Sequence, residues 1–230
     1  MPGLDPLSCV ISGHHREPLI ERQTMDVIDP QFIYVGALIS LSGAVVYVRD
    51  TWRGSTAPNR VTWFLWGLEP LLVFGVERQQ HIGLASLMTL LLGIVPIVVL
   101  AVSFHDPLSV WKIGRFDIVC GCFSIIGLGV WFVVDQSTVA LISFVAADAV
   151  ASAPTLRKAI LQPLTESWWT FCASGLFAAI TLLTLRSLTT AGALFPISVL
   201  ATDTILAFLI VSGAGPRIRE TWRRRKGLSA

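Results

Sequence analysis

Seven runs of apolar residues dominate the chain, at 31–48, 61–76, 82–104, 116–134, 137–155, 167–185 and 190–212. Each approaches or exceeds the roughly 17 to 25 residues that an α-helix needs to cross the hydrocarbon of a bilayer. Short polar turns separate them: His105, Asp106 and Pro107 after the third run, Asp135, Gln136 and Ser137 after the fourth, Gln162 and Pro163 before the sixth. No soluble domain fits between them. The pattern predicts an all-α polytopic membrane protein with seven transmembrane helices. The second run is the shortest and is interrupted by Glu69 and Pro70, so hydropathy alone ranks it last.

Charge restores that second span. With seven spans and an outside N-terminus, the inside segments hold thirteen of the 17 Lys and Arg residues: Arg49, Arg53, Arg60, Lys112, Arg115, Arg157, Lys158 and the six of the tail from Arg217 to Lys226. Only Arg16, Arg22, Arg78 and Arg186 fall outside. That asymmetry obeys the positive-inside rule, and omitting the second helix would put the later loops on the wrong side. The expected location is therefore the cell membrane, with the C-terminus cytoplasmic. Composition agrees: mean hydropathy is +0.70, with 53% apolar and 14% charged residues. Most tryptophans fall near predicted helix ends, where the ring is stable at headgroup level. Residues 1–30 are polar and acidic and read as an outside tail, neither a cleavable signal nor a transit peptide. Cys9, Cys120, Cys122 and Cys172 have no disulfide or zinc spacing. No metal or cofactor is expected, and nucleic acid is not an expected partner: the basic cluster at 213–230 reads as a tail meeting anionic headgroups.

The stretch Pro58, Asn59, Arg60, Val61, Thr62, Trp63 is echoed 105 residues later by Pro163, Leu164, Thr165, Glu166, Ser167, Trp168. Each copy follows a basic segment and opens the next helix on the same predicted side. Two three-helix units, 31–104 and 137–212, separated by one linker helix, 116–134, then have the same orientation, because an odd linker inverts the chain between them. This 3+1+3 layout is a parallel repeat with its pseudo-axis along the membrane normal. With an outside N-terminus, it resembles the SWEET and PQ-loop superfamily of transporters. In the second unit, Asp148, Pro154 to Lys158 and Pro163 to Trp168 look like a proline-kinked helix end, basic loop and next helix start of a PQ-loop repeat. The stretches Pro58 to Trp66, Phe116 with Asp117, and Ala147 to Lys158 resemble bacterial membrane proteins of this layout.

A charge in hydrocarbon costs about 2.5–3.5 kcal/mol on insertion scales, so Glu69, Asp148 and Asp203 need a reason. Glu69 is either a protonatable group facing a polar cavity or a neutral acid bonded to a neighbouring helix. Pro70 leaves the Trp66 carbonyl without its helical partner and predicts a kink. Asp203, between Thr202 and Thr204, has the same two readings; the resemblance makes it the positional counterpart of a substrate-binding polar residue. Asp148 lies among small residues that suit a packing seam. Trp63 and Trp66, three apart, share a helical face and stack either on a substrate or on a packing partner. Asp117 reads as an interfacial helix-start residue favoured by the macrodipole.

The leading expectation is a transporter or facilitator of a small polar organic molecule. Its pocket would lie between the two units and involve Trp63, Trp66, Glu69, Asp148, Trp168 and Asp203, with hinges at Pro70 and Pro154. The expected partners are this substrate and the lipid bilayer, and a homo-oligomer is compatible with the pattern. A membrane-embedded enzyme is the rival. Glu69 and Asp203 resemble the paired acids of small seven-helix terpene cyclases, in which a carboxyl protonates a polyene or epoxide and aromatic faces stabilise the carbocation. A non-catalytic accessory subunit is the third reading.

Overall fold

The computed structural model describes residues 27–79, 86–106, 111–133, 137–185 and 190–213. Among them the chain forms seven α-helices and no strand: α1 (Phe32–Trp52), α2 (Arg60–Gln79), α3 (Ser86–Val102), α4 (Arg115–Val133), α5 (Ser137–Leu161), α6 (Trp168–Leu183) and α7 (Thr190–Ser212). A 3-10 turn at Pro163–Thr165 precedes α6. The expected runs and these helices coincide within a few residues, except that α5 continues through Pro154 to Leu161. Pro154 therefore lies inside its helix instead of at its end. Residues 1–26, with Cys9, and the tail beyond 213, with the basic cluster, lie outside the described residues.

Local chemistry places several helix starts. Asp29 accepts the Gln31 N–H at 2.8 Å just before α1. Asn59 caps α2 by accepting the Val61 N–H at 3.1 Å. Asp117, in the first turn of α4, reaches back to the Gly114 N–H at 2.7 Å, the acidic half of a capping box. After α1, the chain reverses through Gly54 at φ 71°, a conformation that costs a side-chain-bearing residue energy.

Packing follows one scheme twice. Helix α3 lies against both α1 and α2, and α7 lies against both α5 and α6. Between the triplets, α1 packs on α6 and α2 on α5. These two contacts exchange when one triplet is relabelled as the other. Helix α4 stands apart from this scheme, against α5 and α2. Close approach is set by small residues: a Cβ on Gly43 of α1 would come within 2.9 Å of Ala173 Cβ and 3.0 Å of Thr170 Cα on α6. Likewise, the Thr170 hydroxyl donates to the Gly43 carbonyl at 2.9 Å.

The outer surface is apolar. Leu38, Val45, Phe123, Ile126, Phe208 and Val211 are each 61–69% exposed, while Ser40, Thr62, Glu69, Asp117, Asp148 and Asp203 are buried. Two helices, Phe32–Trp52 and Gly192–Ser212, are long and apolar enough to cross a membrane by length and composition, and Ser86–Val102 and Trp168–Leu183 are apolar but shorter.

Candidate functional site

The ends of α1, α3 and α5 and the starts of α2, α4 and α6 gather at one end of the bundle, joined by the Ala57 N–H to the Thr165 carbonyl, the Trp111 N–H to the Pro58 carbonyl and Arg60 to Ser103. Above that end, a cavity enclosing about 670 Å³ of empty space, its mouth included, opens between the triplets. Every helix of both triplets contributes to its wall and α4 does not. From the first triplet come Ser40 and Ala44 of α1, Trp63, Trp66 and Pro70 of α2, and Leu92 and Pro96 of α3. The second triplet supplies Asp148 and Ser152 of α5, Phe171 and Ser174 of α6, and Phe195, Thr202 and Asp203 of α7. The wall has the composition of sites for small organic ligands, mostly apolar with a few polar groups.

Helical spacing explains this convergence. Trp63, Trp66 and Pro70 are three and four residues apart on one face of α2, as are Phe195, Val199 and Thr202 with Asp203 on α7. The aromatic rings form a continuous edge-to-face chain: Trp63 to Trp66 at 5.5 Å between centroids and Trp66 to Phe171 at 6.2 Å. The Trp66 indole N–H donates to Ser152 Oγ at 3.1 Å, and Ser152 Oγ donates to the Asp148 carbonyl at 2.8 Å. The ring of Trp66 is thereby held across the boundary between the triplets. Pro70 and Pro96 both sit inside helices, so the carbonyls of Trp66 and Leu92 lose their ordinary helical donors. Both of those residues are in the cavity wall.

The three acids of the apolar helices, Glu69, Asp148 and Asp203, are not equivalent. Asp148 and Asp203 line the cavity. Ser198 Oγ donates to Asp148 Oδ2 at 3.4 Å, and the Ser174 hydroxyl hydrogen-bonds Asp203. Glu69 is wholly buried, and neither of its carboxylate oxygens has a hydrogen-bond partner. It is not in the cavity wall. Asp148 nevertheless lies within electrostatic range of both Glu69 and Asp203. Asp148, which the small-residue pattern assigned to a seam, therefore combines two roles: its neighbour Ala147 packs on α4 against Gly127, while its carboxyl meets the cavity. Trp168 lies outside the cavity, half exposed and edge-on to Trp169 at 5.7 Å. The echo of Trp63 by Trp168 is thus not an echo of environment, because α2 starts two residues after its proline and α6 five residues after. The cavity-lining residue 105 positions after Trp66 is Phe171. Pro154 is buried and also outside the wall.

A second polar cluster lies at the gathered end. The ammonium of Lys158 is fully buried and donates to Glu166 Oε1 at 2.7 Å, to the Thr165 carbonyl at 3.1 Å and to the Ala57 carbonyl. All three of its donors are used. The Tyr47 hydroxyl donates to Glu166 Oε2 at 2.8 Å, and the Ala57 N–H donates to the Thr165 carbonyl at 3.1 Å. The network ties α1 and its following loop to the end of α5 and the 3-10 turn. The sequence pattern placed Lys158 among loop charges and Glu166 in the repeated stretch but gave neither Glu166 nor Tyr47 a role, since no periodic spacing links residues 47, 158 and 166. Asp117, at the start of α4 as expected, is buried: its Oδ1 accepts from Asn59 Nδ2 at 2.7 Å and from the Trp111 indole at 3.2 Å. The three described cysteines are free, and no cluster of three His, Cys, Asp or Glu suited to a metal occurs among the described residues. Compared with known protein families, curated proteins and solved structures, the chain matches none.

Proposed function

We propose that the chain crosses a bilayer seven times and is a transporter or facilitator of a small polar organic molecule. The carrying observation is the cavity: it lies between two helical triplets that pack by the same scheme, and every helix of both lines it. An apolar exterior with acids and hydroxyls buried inside supports hydrocarbon as the solvent, since water-soluble monomers rarely expose large apolar patches. The two triplets, in the same orientation with α4 as linker, form a parallel repeat around a central site, a common plan among secondary transporters. This is the layout that resembles the SWEET and PQ-loop superfamily. Pro70, in the cavity wall, and Pro154, two residues after Ser152 on α5, are the hinges about which the wall changes shape. The N-terminus is outside and the C-terminus cytoplasmic.

A cyclase-like reading asks for Glu69 and Asp203 at one substrate. The cavity presents Asp203 with Asp148, and Glu69 stays behind the wall, which favours transport. The test is solute exchange in proteoliposomes. Flux above protein-free vesicles, reduced by Trp66→Leu, is the expected result; no flux for any solute class, with cyclised product from a prenylated substrate, would overturn it.

A further inference from the structure

The ionisable side chains of the cavity wall are, among the described residues, both carboxylic acids. Two carboxyl side chains, Asp148 and Asp203, enter it from neighbouring helices, each buried to within 6–7% of full enclosure. Among the described residues no Lys, Arg or His lines it. The nearest cations along α5 are Arg157 and Lys158, nine and ten residues from Asp148 and so about 14–15 Å along the axis; Arg157 lies over the Phe116 ring at 5.4 Å, and the donors of Lys158 are spent on Glu166 and two carbonyls. Arg60 is bonded to Ser103 and lies over the Phe104 ring at 4.2 Å. The serine hydroxyls at Asp148 and Asp203 supply hydrogen bonds but no opposite charge. Beyond the wall, Glu69 adds a third carboxyl whose two oxygens have no partner. A buried carboxylate without a counter-ion is costly, and none lines the cavity among the described residues.

The rest of the wall suits what is missing. Trp63, Trp66 and Phe171 turn successive rings edge to face, so aromatic faces of different orientation border one space, and Phe195 of α7 adds a fourth ring. Ring faces attract cations, most strongly when water is excluded, and recognise ammonium groups in this way. A neutral polyol would gain from the hydroxyls but leave the carboxyls uncompensated, and an anion would meet like charge. We infer that the molecule held here is a small organic cation, a protonated amine or quaternary ammonium, with its charge between Asp148 and Asp203 and its carbon skeleton on the Trp63, Trp66 and Phe171 rings. This rests on the transport reading for its direction of movement, though not for binding itself.

Two measurements separate the inferences. Binding is read from intrinsic tryptophan fluorescence of the full chain in detergent micelles, titrated with choline, phenethylamine, glucose and lactate. Exchange is read from counterflow of the same four labelled solutes in proteoliposomes. Choline or phenethylamine should bind and exchange at least tenfold better than glucose or lactate. Asp203→Asn should weaken cation binding at least tenfold, Asp203→Glu should retain most of it, and Trp66→Phe should retain more than Trp66→Leu. Retained binding by Asp203→Glu shows that loss in Asp203→Asn is not misfolding. Cation binding without exchange upholds the site and overturns transport. Exchange of glucose or lactate in preference to the cations overturns the cation site and leaves transport standing. Neither binding nor exchange of any solute overturns both.

Discussion

The sharpest energetic test lies in the network that joins the triplets at the gathered end. Both side chains of the Lys158–Glu166 pair have zero exposure, so removing one partner leaves the other's charge buried without compensation. Loss of one member of such a pair costs about 3–5 kcal/mol. Lys158→Met also strips a donor from the Thr165 and Ala57 carbonyls, whereas Glu166→Gln keeps an acceptor for the Tyr47 hydroxyl. The first substitution should therefore be the more damaging. In the double variant no uncompensated charge remains, so its loss should fall short of the sum of the singles by about 1.5–3 kcal/mol, the upper part of the range for contacting residues. The assay is reversible unfolding by SDS in mixed micelles, followed by far-UV circular dichroism for wild type, both singles and the double. If the double variant's loss equals the sum of the singles within about 0.5 kcal/mol, the pair is not coupled and the reasoning from its burial fails.

Glycine spacing gives a paired prediction. Gly43→Ala forces a Cβ against the α6 backbone and should cost about 1–3 kcal/mol by overpacking, while Gly75→Ala, which meets nothing within 4 Å, should gain about 0.5–1 kcal/mol from helix preference, both read by the same unfolding assay. Asn59→Ala removes the cap of α2 and a bond to buried Asp117, and should lower stability by about 1–3 kcal/mol; a change within 0.5 kcal/mol would refute the role given to it. Ser152→Ala should cost little stability but free the Trp66 indole, and a red-shifted, broadened tryptophan emission checks it. Reporter fusions at the two termini should place them on opposite faces of the membrane; fusions that report one face for both would remove the parallel repeat and the cavity reading with it.

The number, order and extent of the helices were legible from the sequence, because an apolar run bounded by turn residues is a local signal that needs no partner. The convergence of Trp63, Trp66, Asp148 and Asp203 was also partly legible: residues three or four apart share a face, and polar groups in apolar helices turn inward. What only the tertiary structure decided was which of these residues reach the same space. Glu69, adjacent to a wall residue, lies behind the wall, and Trp168 lies outside it, since a change of a few residues in where a helix starts rotates every side chain after it. Phe171, Ser174 and Phe195 carried no distinguishing sequence mark among many apolar neighbours, yet packing of α6 and α7 brought them to the cavity. The Lys158, Glu166 and Tyr47 network joins residues up to 119 positions apart. Such contacts depend on how the triplets close on each other, and no local pattern encodes that closure.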